Sequence, residues 1–346
     1  MKSLNRPSFP RGFSPARGKH PVNGGLRGDH GGAPAIFSAQ ITNLALNQSG
    51  NFDTQTLQPG FRTPYWIDEI RITALMNRTF ASGGVIVGYP TGLAGALELR
   101  FTTGQYSFSR APVPMGLLAP RWSRYDFGVY QATTVGALLG VEHFATIRWP
   151  LPKPLYMPAG DALQCLAHFN GAYPSLVAIG LPVAQINLAY VGRIESPGTS
   201  APSVRNVPWV SSFAKKAGVT YAQTNDEFRN PFMKSLYVQR FTSRTFVDYP
   251  SVGLPPSPEF FETLSNQGEI TTEPYTEARL YDSMGYAIVK EYVPVNDVFD
   301  GTRGAWTFGR TLNAREQFDL QLRQIGASTA INTMVGLVGY REEAIR

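Results

Sequence analysis

The chain has 346 residues, 43% hydrophobic and only 16% charged, enough for two domains of roughly 150 residues that each bury a core. Gly (34) and Pro (27) together exceed a sixth of the chain, and 12% of it is aromatic, which excludes a helical bundle and points to a turn-rich all-β fold. The single cysteine, Cys165, excludes an intrachain disulfide, and the net charge of +6 is concentrated at one terminus.

Residues 1–35 carry Lys2, Arg6, Arg11, Arg17, Lys19 and Arg27 against one acid, Asp29, a balance of +5, while the remaining 311 residues hold 25 basic and 24 acidic groups. The same segment has seven Gly and five Pro and no apolar period, so it cannot bury a core alone. Fixing its backbone costs on the order of 1–2 kcal/mol per residue. These features predict an extended assembly arm whose order depends on contacts with neighbouring subunits. The six basic residues are the candidate contact set, for subunits first, then a membrane, then nucleic acid. Near an anionic membrane each is worth about 1 kcal/mol, whereas six charges are too sparse for strong genome condensation, so direct nucleic-acid binding is expected to be weak or absent. The segment lacks the apolar stretch of a signal peptide, and no apolar run in the chain reaches the roughly 18–20 residues that cross a bilayer as a helix.

From residue 36 onward the pattern is one of short strands between turns. Leu97-Glu98-Leu99-Arg100-Phe101, Ile186-Asn187-Leu188-Ala189-Tyr190 and Phe318-Asp319-Leu320-Gln321-Leu322-Arg323 alternate apolar with polar, as a half-buried strand does. Val85-Ile86-Val87 is apolar throughout and suits a strand covered on both faces. A first jelly roll is expected over residues 36–197, a linker over 198–227 and a second jelly roll over 228–346. Three short loop helices are expected. One follows Ser257 as cap, Pro258 and Glu259, with Phe260, Phe261 and Leu264 sharing a face before Gly268. A second spans 208–218, and a third 129–139.

Four pairs of segments recur in the same order in the two halves. Phe61-Arg62-Thr63-Pro64-Tyr65 matches Phe228-Arg229-Asn230-Pro231-Phe232, and Gly104-Gln105-Tyr106 through Val113-Pro114 matches Gly285-Tyr286 through Val293-Pro294. Ala162-Leu163-Gln164-Cys165-Leu166 matches Phe318-Asp319-Leu320-Gln321-Leu322, and Val191-Gly192-Arg193 matches Val338-Gly339-Tyr340-Arg341. Recurrence at this long period signals a duplicated domain rather than a solenoid. Two unrelated sandwiches that share only turn chemistry are the alternative. On this arrangement of basic arm, jelly roll, linker and jelly roll, residues 36–346 resemble the double jelly-roll major capsid proteins of icosahedral, often membrane-containing, bacterial and archaeal viruses. The resemblance lies in architecture and not in a short motif. It implies a homotrimer whose six barrels form a pseudo-hexagonal tile, contacts with neighbouring capsomers and with vertex or minor capsid proteins, an internal membrane as a further partner, and a place in the virion after assembly in the host cytoplasm.

Residues with catalytic chemistry are sparse and scattered. Of the four histidines, His20 and His30 lie in the arm, and His143 and His168 stand singly without partners at metal-ligand spacing. Cys165 sits in an alternating strand with no base to activate it. Asn296-Asp297-Val298-Phe299-Asp300-Gly301 lacks the alternating oxygen ligands of a calcium loop. Arg27-Gly28-Asp29 reads as a chance tripeptide, and Asn47-Gln48-Ser49 and Asn77-Arg78-Thr79 match the glycosylation pattern without a secretion signal. No cofactor, no metal and no enzymatic activity are expected. The competing reading is a virus attachment or cement protein, or a tandem-sandwich carbohydrate-binding module, stacking sugars on Trp66, Trp122, Trp149, Trp209 or Trp306. A two-carboxylate hydrolase on a β-sandwich is a third.

Overall fold

Seventeen strands organise the described part of the chain, a computed structural model that covers residues 32–59, 63–79, 95–118, 126–135, 138–171, 183–196, 198–216, 218–247, 276–295, 299, 307–325 and 331–345. The first half contributes β1 (Ala33–Leu44), β2 (Ser49–Asn51), β3 (Tyr65–Thr79), β4 (Leu97–Thr102), β5 (Val113–Pro114), β6 (Asp126–Val135), β7 (Leu138–Met157), β8 (Gln164–Phe169) and β9 (Val183–Ile194). A four-residue helix, α1 (Met115–Leu118), follows β5. The second half contributes β10 (Val204–Lys215), β11 (Tyr221–Gln223), β12 (Leu236–Val247), β13 (Thr276–Asp282), β14 (Ala287–Pro294), β15 (Thr307–Leu312), β16 (Phe318–Gln324) and β17 (Ile331–Ala344). Gly31–Arg346 forms one compact unit.

The strands pair into four antiparallel sheets, β1-β9-β3-β7-β6 and β2-β8-β4-β5 in the first half, β10-β17-β12-β15 and β11-β16-β13-β14 in the second. With β6 set aside as an extra hairpin partner of β7, each half has eight strands in one and the same order. The first, eighth, third and sixth strands make one sheet, and the second, seventh, fourth and fifth make the other. This is a jelly roll, present twice. The four recurring sequence segments fall at matching places: ahead of the third strand, across the fourth–fifth hairpin, on the seventh strand and on the eighth.

Alternation in sequence becomes alternation in burial. In β4 (LELRFT) and β13 (TEARLYD) every second residue is buried, because successive side chains of a strand point to opposite faces. Each barrel therefore fills with one side-chain set. In the first, Phe101, Phe108 and Trp149 meet at centroid separations of 5.6–6.5 Å. In the second, Phe241 lies 5.3–5.7 Å from Phe228, Phe299 and Phe318. Each such ring contributes about 1.5–3 kcal/mol of apolar burial.

Several expectations need correction. The expected linker at 198–227 contains β10 and β11, the first two strands of the second jelly roll, and β10 pairs with β17 from Val204–Ala344 to Lys215–Thr333. The helix expected over 208–218 is that strand. Val207, Trp209 and Val210 are all buried there, so the two-fold period is hidden by apolar residues on both faces. The helix expected over 129–139 is instead the end of β6 and the start of β7, paired from Asp126–Thr146 to Val135–Leu138, as the Val, Tyr and Thr content of 129–135 favours. The first strand begins at Ala33 and takes in the last three residues of the expected arm, with Ala33, Pro34 and Ala35 in register with Ile194, Arg193 and Gly192. The Ser257–Gly268 helix and Val85–Val87 lie outside the described residues.

Candidate functional site: the junction between the barrels

Among the described residues, the side chains singled out for chemistry are paired or buried. Cys165 is fully enclosed, and burial pushes its thiol well above the ordinary range, which removes the thiolate a nucleophile needs. His168 Nδ1 lies 3.0 Å from Ser49 Oγ on the neighbouring strand, and His143 sits in β7. Among the described residues no three His, Cys, Asp or Glu side chains are grouped to hold a metal. Of 296–301 only Phe299 is described, and it is buried in the second core. Trp149 and Trp209 are core residues. Trp66 is engaged by Arg193 (5.3 Å from the ring), by Tyr156 (5.0 Å) and by the Glu195 carboxylate, which accepts its indole N–H. None of these three offers a free stacking face. Trp122 and Trp306, and the arm residues Lys2, Arg6, Arg11, Arg17, Lys19 and Arg27, lie outside the described residues.

What the described residues do build is an extensive contact between the two jelly rolls. The first barrel presents the connection from β4 to β5, then α1; the second presents the outer face and free edge of the β10-β17-β12-β15 sheet. Val210 of β10 donates its N–H to the Phe108 carbonyl at 2.7 Å. Thr242 of β12 donates its hydroxyl to the Leu117 carbonyl at 2.9 Å, and Arg240 reaches the Leu118 carbonyl at 3.4 Å. These bonds satisfy carbonyls of a helix too short to satisfy its own. Leu117 lies against Gly336, where an added Cβ would come within 3.2 Å of the Leu117 Cβ. Val207, Val210, Met334 and Val338 of the second barrel belong to the same buried cluster as Phe108, Leu117 and Trp149 of the first. The neighbouring residues Trp209, Val335 and Leu337 face the other way, into the second core.

Charged groups close the ends of this contact. Arg205 on β10 bonds Asp161 at 2.6 Å with only 4% of its side chain exposed. Two guanidinium groups approach the Tyr106 ring, Arg205 at 4.7 Å and Arg341 at 5.6 Å, and Arg341 also points at the Ser107 carbonyl. Lys153 of β7 sits 4.8 Å above the Tyr340 ring. Arg110 pairs with Asp226 at 3.0 Å, an exposed contact of little energetic weight. Arg240 is enclosed. Burial, and then the charge of Arg244, lower its guanidinium from the usual value to about 10.

A second device is duplicated. In β3 the register slips between Ile67 and Glu69, and in β12 between Val238 and Arg240. The bulge brings each strand's backbone onto its neighbour, where Gly192 pairs with Ile67 and Gly339 with Val238. A Cβ on Gly192 would overlap the Trp66 carbonyl, and one on Gly339 the Tyr237 carbonyl. The recurring Val-Gly of the sequence is this requirement for close approach, met twice.

Tyr106, Val338, Tyr340 and Arg341 were read from the sequence only as members of recurring segments, and nothing there marked them as a junction. The readable signal was a contrast between counterparts. Asn187-Leu188-Ala189-Tyr190-Val191 mixes polar and apolar residues, whereas Met334-Val335-Gly336-Leu337-Val338 is apolar on both faces and so marks a strand covered on both sides.

No protein-family model and no curated protein matches the chain. Solved structures do. The STIV major capsid protein aligns with a TM-score of 0.50 at 13% identity, over 88% of this chain and 96% of that one. The mavirus major capsid protein aligns at 0.41 and 7% identity over 99% and 97%, and the Faustovirus major capsid protein at 0.38 and 7% over 91% of each. At that identity the first likeness speaks to the fold. The chain is a double jelly roll.

Proposed function

We propose that this double jelly roll is the major capsid subunit of an icosahedral virus shell. It acts as a homotrimer whose six barrels make a pseudo-hexagonal tile, and it works through its surfaces rather than by catalysis. The observation that carries this reading is the pair of barrels of identical strand order, locked to each other by a buried junction. Two near-equivalent barrels in one chain turn a three-fold assembly into an approximately six-fold one, the form that packs edge to edge. The likeness to the STIV capsid protein supports the same role. The division that goes with it is an arm to residue 32, a first barrel over 33–196 and a second over 204–346. The partners are further copies, vertex or minor capsid proteins, and a membrane reached through the basic arm, with little direct binding of nucleic acid. The place of action is the virion, after assembly in the host cytoplasm.

Size-exclusion chromatography with light scattering should give a mass three times the 38.0 kDa chain, and negative-stain images should show a hexagonal outline. A full-length protein that stays monomeric at micromolar concentration overturns the proposal.

A further inference from the structure

The junction inside the chain is head-to-tail. It joins the fourth–fifth-strand side of the first barrel to the outer face of the first–eighth–third–sixth-strand sheet of the second. Because both barrels have one strand order, each of these surfaces exists twice, and the chain uses one of each. The unused pair is the β13–β14 side of the second barrel and the outer face of β1-β9-β3-β7 in the first.

Backbone registers match the used and unused surfaces residue by residue. Val210 pairs with Val338, which precedes the bulge glycine Gly339, and Ile36 pairs with Val191, which precedes Gly192. Ile36 is therefore the counterpart of Val210. Val210 is 1% exposed, under the first barrel, and Ile36 is 62% exposed. On the other surface, Thr103 donates its N–H to the Tyr106 carbonyl and its hydroxyl accepts the Tyr106 N–H. Asp282 repeats both bonds with Tyr286, its carboxylate replacing the hydroxyl. Tyr286 is therefore the counterpart of Tyr106. Tyr106 is engaged by two guanidinium groups in the junction, while Tyr286 is 69% exposed beside Met284 at 76%. Two large apolar side chains stand open at the two positions whose repeats are engaged by the other barrel. Arg110, which pairs across the junction, has another base, Lys290, four residues beyond Tyr286 as it is beyond Tyr106.

We infer that a second copy of this chain covers both. The β13–β14 turn of one copy, with Met284 and Tyr286, seats on the outer face of β1 and β9 of the next, at Ile36 and Val191, repeating between chains the contact made within each. A heterologous contact of this kind builds a closed ring when its rotation is right. The inference names the interface of the proposed trimer and rests on the capsid reading.

The test uses full-length Ile36→Asp and Tyr286→Asp, with Tyr221→Asp, 48% exposed on β11 at the other edge of the β13–β14 sheet, as control. The first two should lose the three-chain species by light scattering while melting as wild type does, and the control should keep it. Mixing Ile36→Asp with Tyr286→Asp leaves one intact interface per pair and should yield a two-chain species. Trimers that persist in both variants, or a mixture that stays monomeric, overturn the assigned interface and leave the capsid reading standing. A monomeric wild type overturns the capsid reading itself.

Discussion

Gly192 and Gly339 show how a single residue type sets the register of a barrel. Each faces a bulge whose carbonyl occupies the space of a side chain, so alanine forces backbone and not a flexible side-chain end to move. Gly192→Ala and Gly339→Ala should each destabilise by about 3 kcal/mol, the upper range for overpacking, seen as a lowered melting temperature. Gly198 is the control. Its φ of +87° is left-handed but nothing lies within 4 Å of an added Cβ, so alanine there should cost only about 1 kcal/mol of backbone strain. Equal losses at all three sites would mean that the close approach is not what the bulge glycines provide. The recurrence of both glycines was legible in the sequence, but the reason was not, since a bulge belongs to the neighbouring strand. Cys165 could be read more fully, because its environment is set by the adjacent residues of its own alternating strand.

Elements were legible where one face is solvated and obscured where both are covered. β4, β8, β13 and β16 announce themselves by alternation. β10 and β17 do not, because the junction covers what would be their polar face, and β10 was mistaken for a linker and a helix. The same double cover encloses Arg240, which carries a charge where its first-barrel counterpart, Glu69, pairs with Arg71 at a more open surface. A base whose folded value is lowered binds fewer protons when folded than when unfolded between the two values. At neutral pH both states are protonated and the full penalty of the buried charge is present. It is relieved as pH rises from about 10 towards the ordinary guanidinium value. That shift corresponds to roughly 3 kcal/mol, partly offset by the bonds to the Leu118 and Gln239 oxygens. Arg240→Met should therefore be neutral to stabilising at pH 7, with the gain shrinking above pH 10 in denaturant titrations. A loss of stability at pH 7 would show that the guanidinium is a net support of the junction. Leu117→Ala, by contrast, should cost about 2–5 kcal/mol, because the cavity opens between two barrels that cannot both relax into it.

At the scale of the whole molecule the duplication was readable from four short segments in fixed order, because turn chemistry and close-approach glycines recur wherever the strand order recurs. The division between barrels was misplaced by about two strands, for the reason just given. Charge was the other readable feature, and it leads to a prediction that separates folding from assembly. Every described strand begins at or after Ala33, so removing residues 1–31 deletes no described strand while taking away a charge of +5 and leaving a body of +1. The truncated protein should melt within about 1 °C of the full chain, as surface changes of near-zero free energy do. If the arm acts between subunits and towards an anionic layer, particle formation should fall sharply in the truncated protein. In the full chain it should weaken between about 0.05 and 0.5 M salt, as the screening length drops below about 10 Å. Both effects should be visible by sedimentation. A truncated protein that melts normally, trimerises and forms particles with unchanged yield and salt response would confine the function to the barrels and remove the arm from it. One that melts lower would instead make the arm part of the fold, and its six basic residues would then need partners within the body.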